Sequence, residues 1–558
     1  MSDEFHQDGP RLGNQYETDS LLRGYLRWRM PAPALAEIEP GLARLGHRAA
    51  TDLLALGDAA EAEPPRHVPY DPWGRRIDRI EVSDAWHALD RISAEEGIVA
   101  TAYERAHGAW SRVHQMALLY LFHPSSATYS CPLAMTDGAA RFLELHGDAR
   151  TREAYERLTS RDPARFWTSG QWMTERTGGS DVSTTSTVAL PDADGGAGAY
   201  LLYGTKWFTS ATTAQVAITL ARIEGAPPGS RGLSAFYVQL REDGGALRGI
   251  SVNRLKDKLG TRALPTAELT LDGTPALLIG GEGDGVRKIA SLFNVTRVYN
   301  AVAAVSGMRR ALALAHDYAR RRTAFGKRLA DHPLHMETLA ELDARFHAAF
   351  HLTFQVVELL GREESGEASE AELAMLRLLT PVAKLFTAKQ AVIVASEVLE
   401  AFGGAGYVED TGIPRLLRDA QVLPIWEGTT NVLSLDVWRA IDRTNALAPW
   451  LEHVREEMGR VRHPAAAIAT FPVRSAVSLI EAYVRRTTEP AEREVGARRL
   501  AFAIARTAAA SRMVAHAESE CAEYADPNES EREIAIRALA PMNRWLSRQL
   551  AIGLDVLV

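Results

Sequence analysis

The chain has 558 residues, of which 46% are hydrophobic and 24% are charged, and its net charge is −8. This composition is typical of a folded protein with several domains, and it excludes a disordered or collagen-like chain. The acidic balance disfavours broad attraction to nucleic acid. Two distant cysteines, Cys131 and Cys521, indicate neither a disulfide framework nor a cysteine zinc site. The polar start MSDEFHQDGP predicts no signal peptide, and no membrane span is predicted, so we expect a cytoplasmic protein.

The predicted elements run in the order helix, strand, helix. Residues 1–165 have apolar residues at helical spacing and are predicted to form a helical N-terminal domain. Residues 166–281 contain short β-branched and aromatic runs between glycine-rich turns, which predicts a β domain. Residues 282–445 return to helical spacing and predict a helical bundle, and the Ala-, Arg- and Glu-rich residues 446–558 predict a further helical extension. The fold class is therefore α+β with several domains.

Two motifs of the β domain favour a planar ligand. In WMTERTGGSDVSTTS, hydroxyl side chains surround Gly178 and Gly179, so that backbone and hydroxyl groups can approach a ring edge or a phosphate closely. A Ser/Thr-rich turn that opens the β domain is the alternative. In KWFTS, Trp207 and Thr209 would lie on the same face of one strand and offer an aromatic wall beside a hydroxyl.

Two motifs of the helical bundle suit phosphate groups. The run RRRTAFGKRL places arginines next to Phe325 and Gly326, a combination suited to a pyrophosphate and an aromatic ring, although such charge runs are often only solvated helix faces. AFGGAGYVED follows a predicted helix and could present backbone N–H groups to phosphates. A helix C-cap explains Gly403 equally well.

Glu427 is the candidate catalytic residue. It lies between Trp426 and Gly428 in the apolar stretch IPRLLRDAQVLPIWEGTTNVL, where partial desolvation suits a general base. A structural carboxylate paired with Arg415 or Arg418 is the alternative.

No metal site is predicted. His332 and His335 stand three apart, but Pro333 separates them and no third ligand is evident. The glycine cluster in PALLIGGEGDGVRKIASL fails the spacing of a dinucleotide-binding loop, so this segment is predicted to be a linker.

Taken in order, MTERTGGSD, KWFTS, RRTAFGK, FGGAGY and WEGTTN resemble the successive signatures of the acyl-CoA dehydrogenase superfamily. The stretches YDPWGRRIDRIEVSDAWH, SCPLAMTDGAAR, RLKDKLGTR and IWEGTTNVLSLDVWRAI, with the helical tail, are most similar to the AidB branch. The resemblance spans nearly the whole chain. It implies an FAD-binding homotetramer with a helical N-terminal domain, a β-barrel-like middle domain, a helical bundle and an extra C-terminal helical domain.

The resemblance also implies a role for individual residues. Glu427 would be the catalytic base. The implied contacts with the flavin and its ribityl chain are Met173, Thr174, Ser180, Trp207, Thr209, Thr429 and Asn431. The implied contacts with the FAD of an adjacent subunit are Arg322, Phe325, Gly403 and Gly404.

The implied activity is α,β-dehydrogenation of an acyl thioester, carried either by CoA or by a carrier protein, with an electron acceptor that the sequence does not name. An AidB-like, DNA-associated stress flavoprotein with weak or no dehydrogenase activity is the alternative, and a flavin oxidase or monooxygenase is a third hypothesis.

Departures from the family pattern point both ways. Pro333 and Glu400 stand where many relatives carry Gln. This difference weakens the expectation that this part of the chain contacts the adenine side of FAD. Thr209 and Thr429 match the ordinary dehydrogenases and differ from AidB itself. Residues 441–558 contain sixteen arginines, no lysine and sixteen acidic residues, so charge does not favour DNA binding by this segment.

Overall fold

The structure is a computed structural model, and the residues it describes are 7–242, 245–523 and 538–550. The chain divides into two compact units. The helical unit comprises residues 1–50, 105–124 and 300–558, and the barrel unit comprises residues 51–104 and 125–299.

The described helices and strands confirm the predicted order of helix, strand and helix. The helices are α1 (Ser20–Arg29), α2 (Ala32–Arg48), α3 (Asp52–Ala62), α4 (Asp84–Glu95), α5 (Ala100–Glu104), α6 (Trp110–Phe122), α7 (Ser130–His146), α8 (Arg152–Leu158), α9 (Gly285–Lys288), α10 (Ala290–Arg321), α11 (Pro333–Glu364), α12 (Glu370–Ala401), α13 (Ile413–Ala420), α14 (Thr430–Thr444), α15 (Leu447–Arg460), α16 (Pro464–Ala467), α17 (Thr470–Arg486), α18 (Pro490–Glu523) and α19 (Ala540–Trp545). The strands are β1 (Arg66–Tyr70), β2 (Arg76–Glu81), β3 (Ser169–Trp172), β4 (Val188–Pro191), β5 (Ala199–Ser210), β6 (Val216–Ile223), β7 (Leu233–Gln239), β8 (Ile250–Leu255), β9 (Thr266–Ile279), β10 (Thr323–Ala324) and β11 (Lys327–Arg328).

The main sheet closes on itself. Strands β6, β4, β5, β9 and β7 pair in that order, and β7 pairs again with β6. Strand β3 adds to β6 in parallel, and β8 adds to β9. Closure leaves no free edge among the five ring strands, and it confirms the β-barrel expected for the middle of the chain.

The run VAITLARI of β6 shows why these residues form a central strand. Ala217 and Ala221 belong to one apolar cluster of the barrel, whereas Ile218 and Leu220 belong to a second cluster that includes Phe142 of α7. Because successive residues point to opposite faces and both faces are covered, apolar residues occupy both faces of the strand instead of only one. Strands β3, β4 and β8 were not anticipated, since they are short or rich in polar residues.

A small hairpin, β1 with β2, interrupts the N-terminal helices and was also missed by the sequence analysis. Its anchor is Asp78, a buried carboxylate that accepts bonds from His67 Nε2 at 2.8 Å, Arg76 Nε at 2.7 Å and the Val252 N–H at 3.1 Å. The third bond ties the hairpin to β8.

The core of the helical unit is built around α11. Phe350 and Phe354 stack at a centroid distance of 4.4 Å, and Tyr25 of α1 packs against both rings. At the next turn, Glu358 accepts two bonds from Arg29, at 2.9 and 2.7 Å, and one from the Tyr25 hydroxyl. A bidentate arginine with a third donor satisfies this buried carboxylate.

The helix predicted before FGGAG is confirmed as α12. Leu385 and Ala388 are fully buried, whereas Val392 and Leu399 lie at the margin of the buried face. Two helical stretches, α12 and Pro464–Arg486, are long and apolar enough to cross a membrane by length and composition alone. Most of the apolar part of α12 is buried, as in the core helix of a folded domain, and about a third of the second stretch is buried.

Helix packing in the helical unit predicts opposite effects for two glycines. A Cβ at Gly361 of α11 would lie 2.1 Å from the Ala109 carbonyl oxygen, whereas a Cβ at Gly307 of α10 would meet no atom within 4 Å. Gly361→Ala should lower the free energy of unfolding by about 1–3 kcal/mol through overpacking. Gly307→Ala should be neutral or stabilising by up to about 1 kcal/mol because alanine has less chain entropy to lose. Denaturant unfolding of both variants tests this pair, and equal losses would contradict it.

Candidate active site

A buried ion pair joins the first two motifs of the barrel unit. Lys206 and Glu175, whose side chains are 0% and 2% exposed, lie 2.9 Å apart. The Lys206 ammonium also donates to the Leu220 carbonyl oxygen of β6 at 2.8 Å. Glu175 accepts bonds from the backbone and hydroxyl groups of Ser186 and Thr187. Every one of these partners is needed, because an uncompensated buried charge is costly.

The pair keeps Glu175 ionised. Burial by itself raises the pKa of this carboxyl, but the Lys206 charge and the hydrogen bonds from Ser186, Thr187 and Lys206 outweigh burial and lower the pKa to about 2. The negative charge therefore persists over the whole physiological range, and the segment that carries Glu175 stays tied to β5 and β6.

The segment Met173–Asp181, here called the flavin loop, follows directly on β3. Met173 is buried, whereas residues 176–181 are exposed and include Ser180. Gly178 has a φ of +127°, and its N–H donates to the Glu175 carbonyl oxygen at 3.0 Å, which closes a tight turn. A Cβ at Gly179 would lie 2.4 Å from Thr174 Oγ1. Glycine at both positions therefore leaves the loop backbone accessible next to hydroxyl side chains.

Trp207 lies beside the flavin loop. Its backbone N–H donates to the Thr174 carbonyl oxygen at 2.9 Å, and its indole side chain is half-buried. The Lys256 ammonium lies 3.6 Å from the centre of the indole and 2.5 Å from Glu268, so one face of the ring is covered by a cation held in place by a carboxylate.

The strand around Trp207 is bulged, which modifies the predicted alternation. The register shifts between Lys206 and Thr209, and Phe208 has a φ of +55° with its ring exposed. Thr209 is fully buried, and its hydroxyl donates to the Ala267 carbonyl oxygen at 2.9 Å. Since that hydrogen is used, a contact of Thr209 with a flavin requires its oxygen to act as the acceptor.

Glu427 lies on residues 421–429, here called the base loop, which connects α13 with α14. Glu427 has a φ of +55° and Gly428 a φ of +103°, so two consecutive residues are left-handed. The Glu427 side chain is half-buried. Arg418, one of the two arginines considered as its structural partner, is bound to Glu409.

Thr429 and Asn431 occupy the first turn of α14. Thr429 is the N-cap residue, and its side chain makes no capping hydrogen bond. Asn431 is exposed, and its Oδ1 accepts a bond from Arg498 of α18 at 3.4 Å. Both side chains are accessible at a helix N-terminus, where N–H groups and the helix dipole favour anionic partners.

The motif RRTAFGKR forms the hairpin β10–β11. Phe325 and Gly326 form its two-residue turn with φ of +50° and +80°, which is the geometry of a type I′ turn. The turn leaves Phe325 98% exposed. Arg322, just before the hairpin, donates to Gln7 Oε1 at 2.9 Å.

Gly403 and Gly404 follow α12 and are exposed. Phe402 is the C-cap residue of α12, and Gly403 follows it with the left-handed φ of +60° that is common after a helix end. A Cβ on either glycine would meet no atom within 4 Å, so the motif ends a helix and leaves its backbone exposed.

Within the described ranges, no cluster of three or more His, Cys, Asp or Glu side chains could hold a metal ion.

Family comparisons cover most of the chain. Residues 283–441 match the acyl-CoA dehydrogenase C-terminal domain, residues 170–274 match its middle domain, and residues 10–162 match the adaptive response protein AidB N-terminal domain. Acyl-CoA dehydrogenase family member 11 of Caenorhabditis elegans is 43% identical over 96% of this chain and 88% of its own length. The chain belongs to the acyl-CoA dehydrogenase family, in its AidB-like branch.

One further relative and one solved structure also match most of the chain. The putative acyl-CoA dehydrogenase AidB of Escherichia coli (strain K12) is 32% identical over 72% of this chain and 74% of its own length. The crystal structure of Caenorhabditis elegans ACDH-11 in complex with C11-CoA is similar with a TM-score of 0.92 and 42% identity, covering 97% of this chain and 93% of that one. The expected fold and family are therefore confirmed.

The residues present fit FAD, the cofactor of this family. The barrel unit offers an accessible loop backbone at Gly178 and Gly179 and an indole at Trp207. The helical unit offers an exposed helix N-terminus at Thr429, whose side chain is not used for capping. Hydrogen-bond donors, an aromatic wall and an anion-binding terminus are the groups that a flavin nucleotide requires.

Sequence reasoning missed three residues that organise these motifs. Glu175 and Lys206 stand inside MTERTGGSD and KWFTS but were not singled out, and neither was Lys256 in RLKDKLGTR. Charged residues next to strand-forming apolar residues were the available signal, because such residues are rarely buried without a partner.

The buried pair predicts a large loss of stability on removal of the lysine. Lys206→Met keeps the side-chain length but leaves Glu175 buried without its counter-charge, so the free energy of unfolding should fall by about 3–5 kcal/mol. The matched control is Arg152→Met, which breaks an exposed pair with Glu156 on α8 and should change stability by less than about 0.5 kcal/mol. Urea unfolding measures both, and equal losses would show that the buried pair has no special weight.

The low pKa of Glu175 predicts a contribution to the free energy of unfolding that is lost at acidic pH. Since the pKa falls from an ordinary 4.5 to about 2 on folding, the contribution is fully present above pH 4.5 and is lost as the pH falls toward 2. Its size is about 3 kcal/mol. The difference in unfolding free energy between wild type and Glu175→Gln should therefore shrink as the pH falls toward 2. A difference independent of pH would contradict the assignment.

Proposed function

We propose that this protein is an FAD-dependent acyl-CoA dehydrogenase in which Glu427 is the catalytic base. The observation that carries the proposal is the position of Glu427: a half-buried carboxylate on a loop with two left-handed residues, immediately before the N-terminus of α14. Unfavourable backbone of this kind is found where a structure fixes a functional side chain. The family membership supplies the reaction class.

The proposed reaction is the α,β-dehydrogenation of an acyl thioester. The Glu427 carboxylate removes the proton from carbon 2 of the acyl thioester, and a hydride leaves carbon 3, so that a trans-2-enoyl thioester results. When bound, FAD supplies the hydride acceptor. The chain would contribute orientation, since Trp207 and the flavin loop of the barrel unit would hold the flavin ring.

The proposed substrate is an acyl-CoA. Its support is the similarity to the ACDH-11 structure, which is a complex with C11-CoA. We further propose a cytoplasmic homotetramer that acts in fatty acid metabolism. The 98% exposed Phe325 and the 90% exposed Tyr407 support this assembly, since aromatic side chains of that exposure are common at interfaces between subunits.

DNA association is the second candidate function, and the AidB N-terminal match supports it. Charge weighs against it: residues 441–558 have as many acidic residues as arginines, and the whole chain is acidic. Because DNA binding depends on a positive surface that releases counterions, we rank this function below dehydrogenation.

Glu427→Gln should separate cofactor binding from catalysis. The variant should keep FAD, because only one carboxyl oxygen is replaced, while the rate of flavin bleaching by acyl-CoA should fall by at least ~10²-fold through loss of the base. The measurement is anaerobic mixing of purified protein with acyl-CoAs of increasing chain length, followed by flavin absorbance. Glu452→Gln, an exposed carboxylate on α15, is the matched control and should bleach like wild type.

Two outcomes would contradict this proposal. Bleaching of Glu427→Gln at the wild-type rate would show that another group is the base. A wild type that bleaches with no thioester, yet binds duplex DNA in a salt-sensitive manner, would place the AidB-like function first.

A further inference from the structure

The backbone of the base loop needs external support. Glu427 is not glycine, yet its φ is +55°, and it is followed by Gly428 at +103°. A left-handed conformation at a residue with a long side chain is unfavourable by itself and persists only where surrounding contacts impose it. The groups that contact this loop therefore decide where the Glu427 carboxylate lies.

One of these groups is a buried ammonium. Lys384 of α12 is fully buried, and its Nζ donates to the Gly428 carbonyl oxygen at 2.6 Å. This oxygen belongs to the residue directly after Glu427. A charged donor at such a distance makes a strong bond, and it fixes the peptide that follows the base.

Neighbouring contacts make the same peptide hard to move. A Cβ at Gly428 would lie 2.9 Å from Leu433 Cδ2, so Leu433 closes one side of the turn. At the other end of the base loop, Asn300 of α10 donates to the Leu423 carbonyl oxygen at 3.2 Å. The loop is thus attached at both ends, and Lys384 provides the attachment beside Glu427.

The presence of a lysine at position 384, and not an arginine or an apolar residue, also points to a specific role. The chain has 63 basic residues but only seven lysines, and two of these, Lys206 and Lys384, are fully buried. A compact ammonium on a flexible stem reaches a single carbonyl oxygen inside a core, where a planar guanidinium with five N–H donors would leave donors unsatisfied. An apolar residue would fill the same core position of α12 without the cost of a buried charge.

We propose that Lys384 is a positioning residue for Glu427. Its ammonium holds the Gly428 carbonyl, and through that peptide it keeps the Glu427 carboxylate at the place where it meets carbon 2 of the substrate. This inference rests on the proposed function, because it assigns Lys384 a role only through Glu427.

The test is Lys384→Met, which keeps the length of the side chain and removes its donor. FAD content and acyl-CoA affinity should stay within about threefold of wild type, while the rate of substrate-driven flavin bleaching should fall by ~100-fold, the loss expected when a reacting group is displaced by about 1 Å. A purely structural lysine would instead lower FAD content and affinity together. The control is Lys389→Met, a half-buried lysine on the same helix, which should behave like wild type.

A second variant is used if the Lys384→Met protein does not retain FAD. Lys384→Ala removes four side-chain atoms, which n-propylamine replaces atom for atom. Faster bleaching on addition of n-propylamine supports the inference, and no gain overturns it. If wild type and Lys384→Met bleach at the same rate, this inference alone is wrong. If wild type bleaches with no thioester, the proposed function is wrong and this inference falls with it.

Discussion

The Lys206–Glu175 ion pair is the interaction on which the candidate flavin site of the barrel unit depends. It joins the flavin loop to β5 directly and to β6 through the Leu220 carbonyl oxygen. Because both charges are buried, moving either side chain out of the pair would leave a buried charge without its counter-charge. Trp207 follows Lys206 in the chain, and Thr174 precedes Glu175. The backbone N–H of Trp207 donates to the Thr174 carbonyl oxygen. The indole and the loop are therefore placed by the same two charges.

The helical unit uses the same physical principle at Glu427. There too a fully buried lysine donates to a main-chain carbonyl oxygen, in this case that of Gly428, which follows the proposed base Glu427. In both units the ammonium group of a lysine holds a backbone segment in a conformation that the local sequence would not stabilise by itself. Since a buried ammonium cannot be left without acceptors, each lysine also penalises any conformation in which the loop moves away.

Charge distribution weighs against the nucleic-acid hypothesis that the AidB-like similarity raises. Several arginines of the C-terminal segment contact acidic partners: Arg455 and Arg485 contact Glu481, Arg493 contacts Asp442, and Arg512 contacts Glu358 and Glu457. Such pairs offset part of the positive charge that binding to a polyanion requires. The helical extension is thus built as part of the helical unit.

The sequence by itself determined the order of helices and strands, the family, and the motifs that carry the candidate site. The apolar runs of β6 and α12 predicted their elements because burial on both faces of a strand, or along one face of a helix, leaves a direct pattern in the residues. The end of α12 was also predictable from local turn chemistry, because Gly403 adopts the left-handed φ of +60° directly after the C-cap residue Phe402.

Only the tertiary structure decided how those motifs are held. The closure of the barrel, the bulge between Lys206 and Thr209, and the β1–β2 hairpin depend on pairing between distant strands, which no local pattern encodes. The partners of Glu175 and of the Gly428 carbonyl lie 31 and 44 residues away in sequence, at Lys206 and Lys384. A charged residue becomes a buried anchor only when the fold removes water from it and supplies a partner, and that condition is a property of packing.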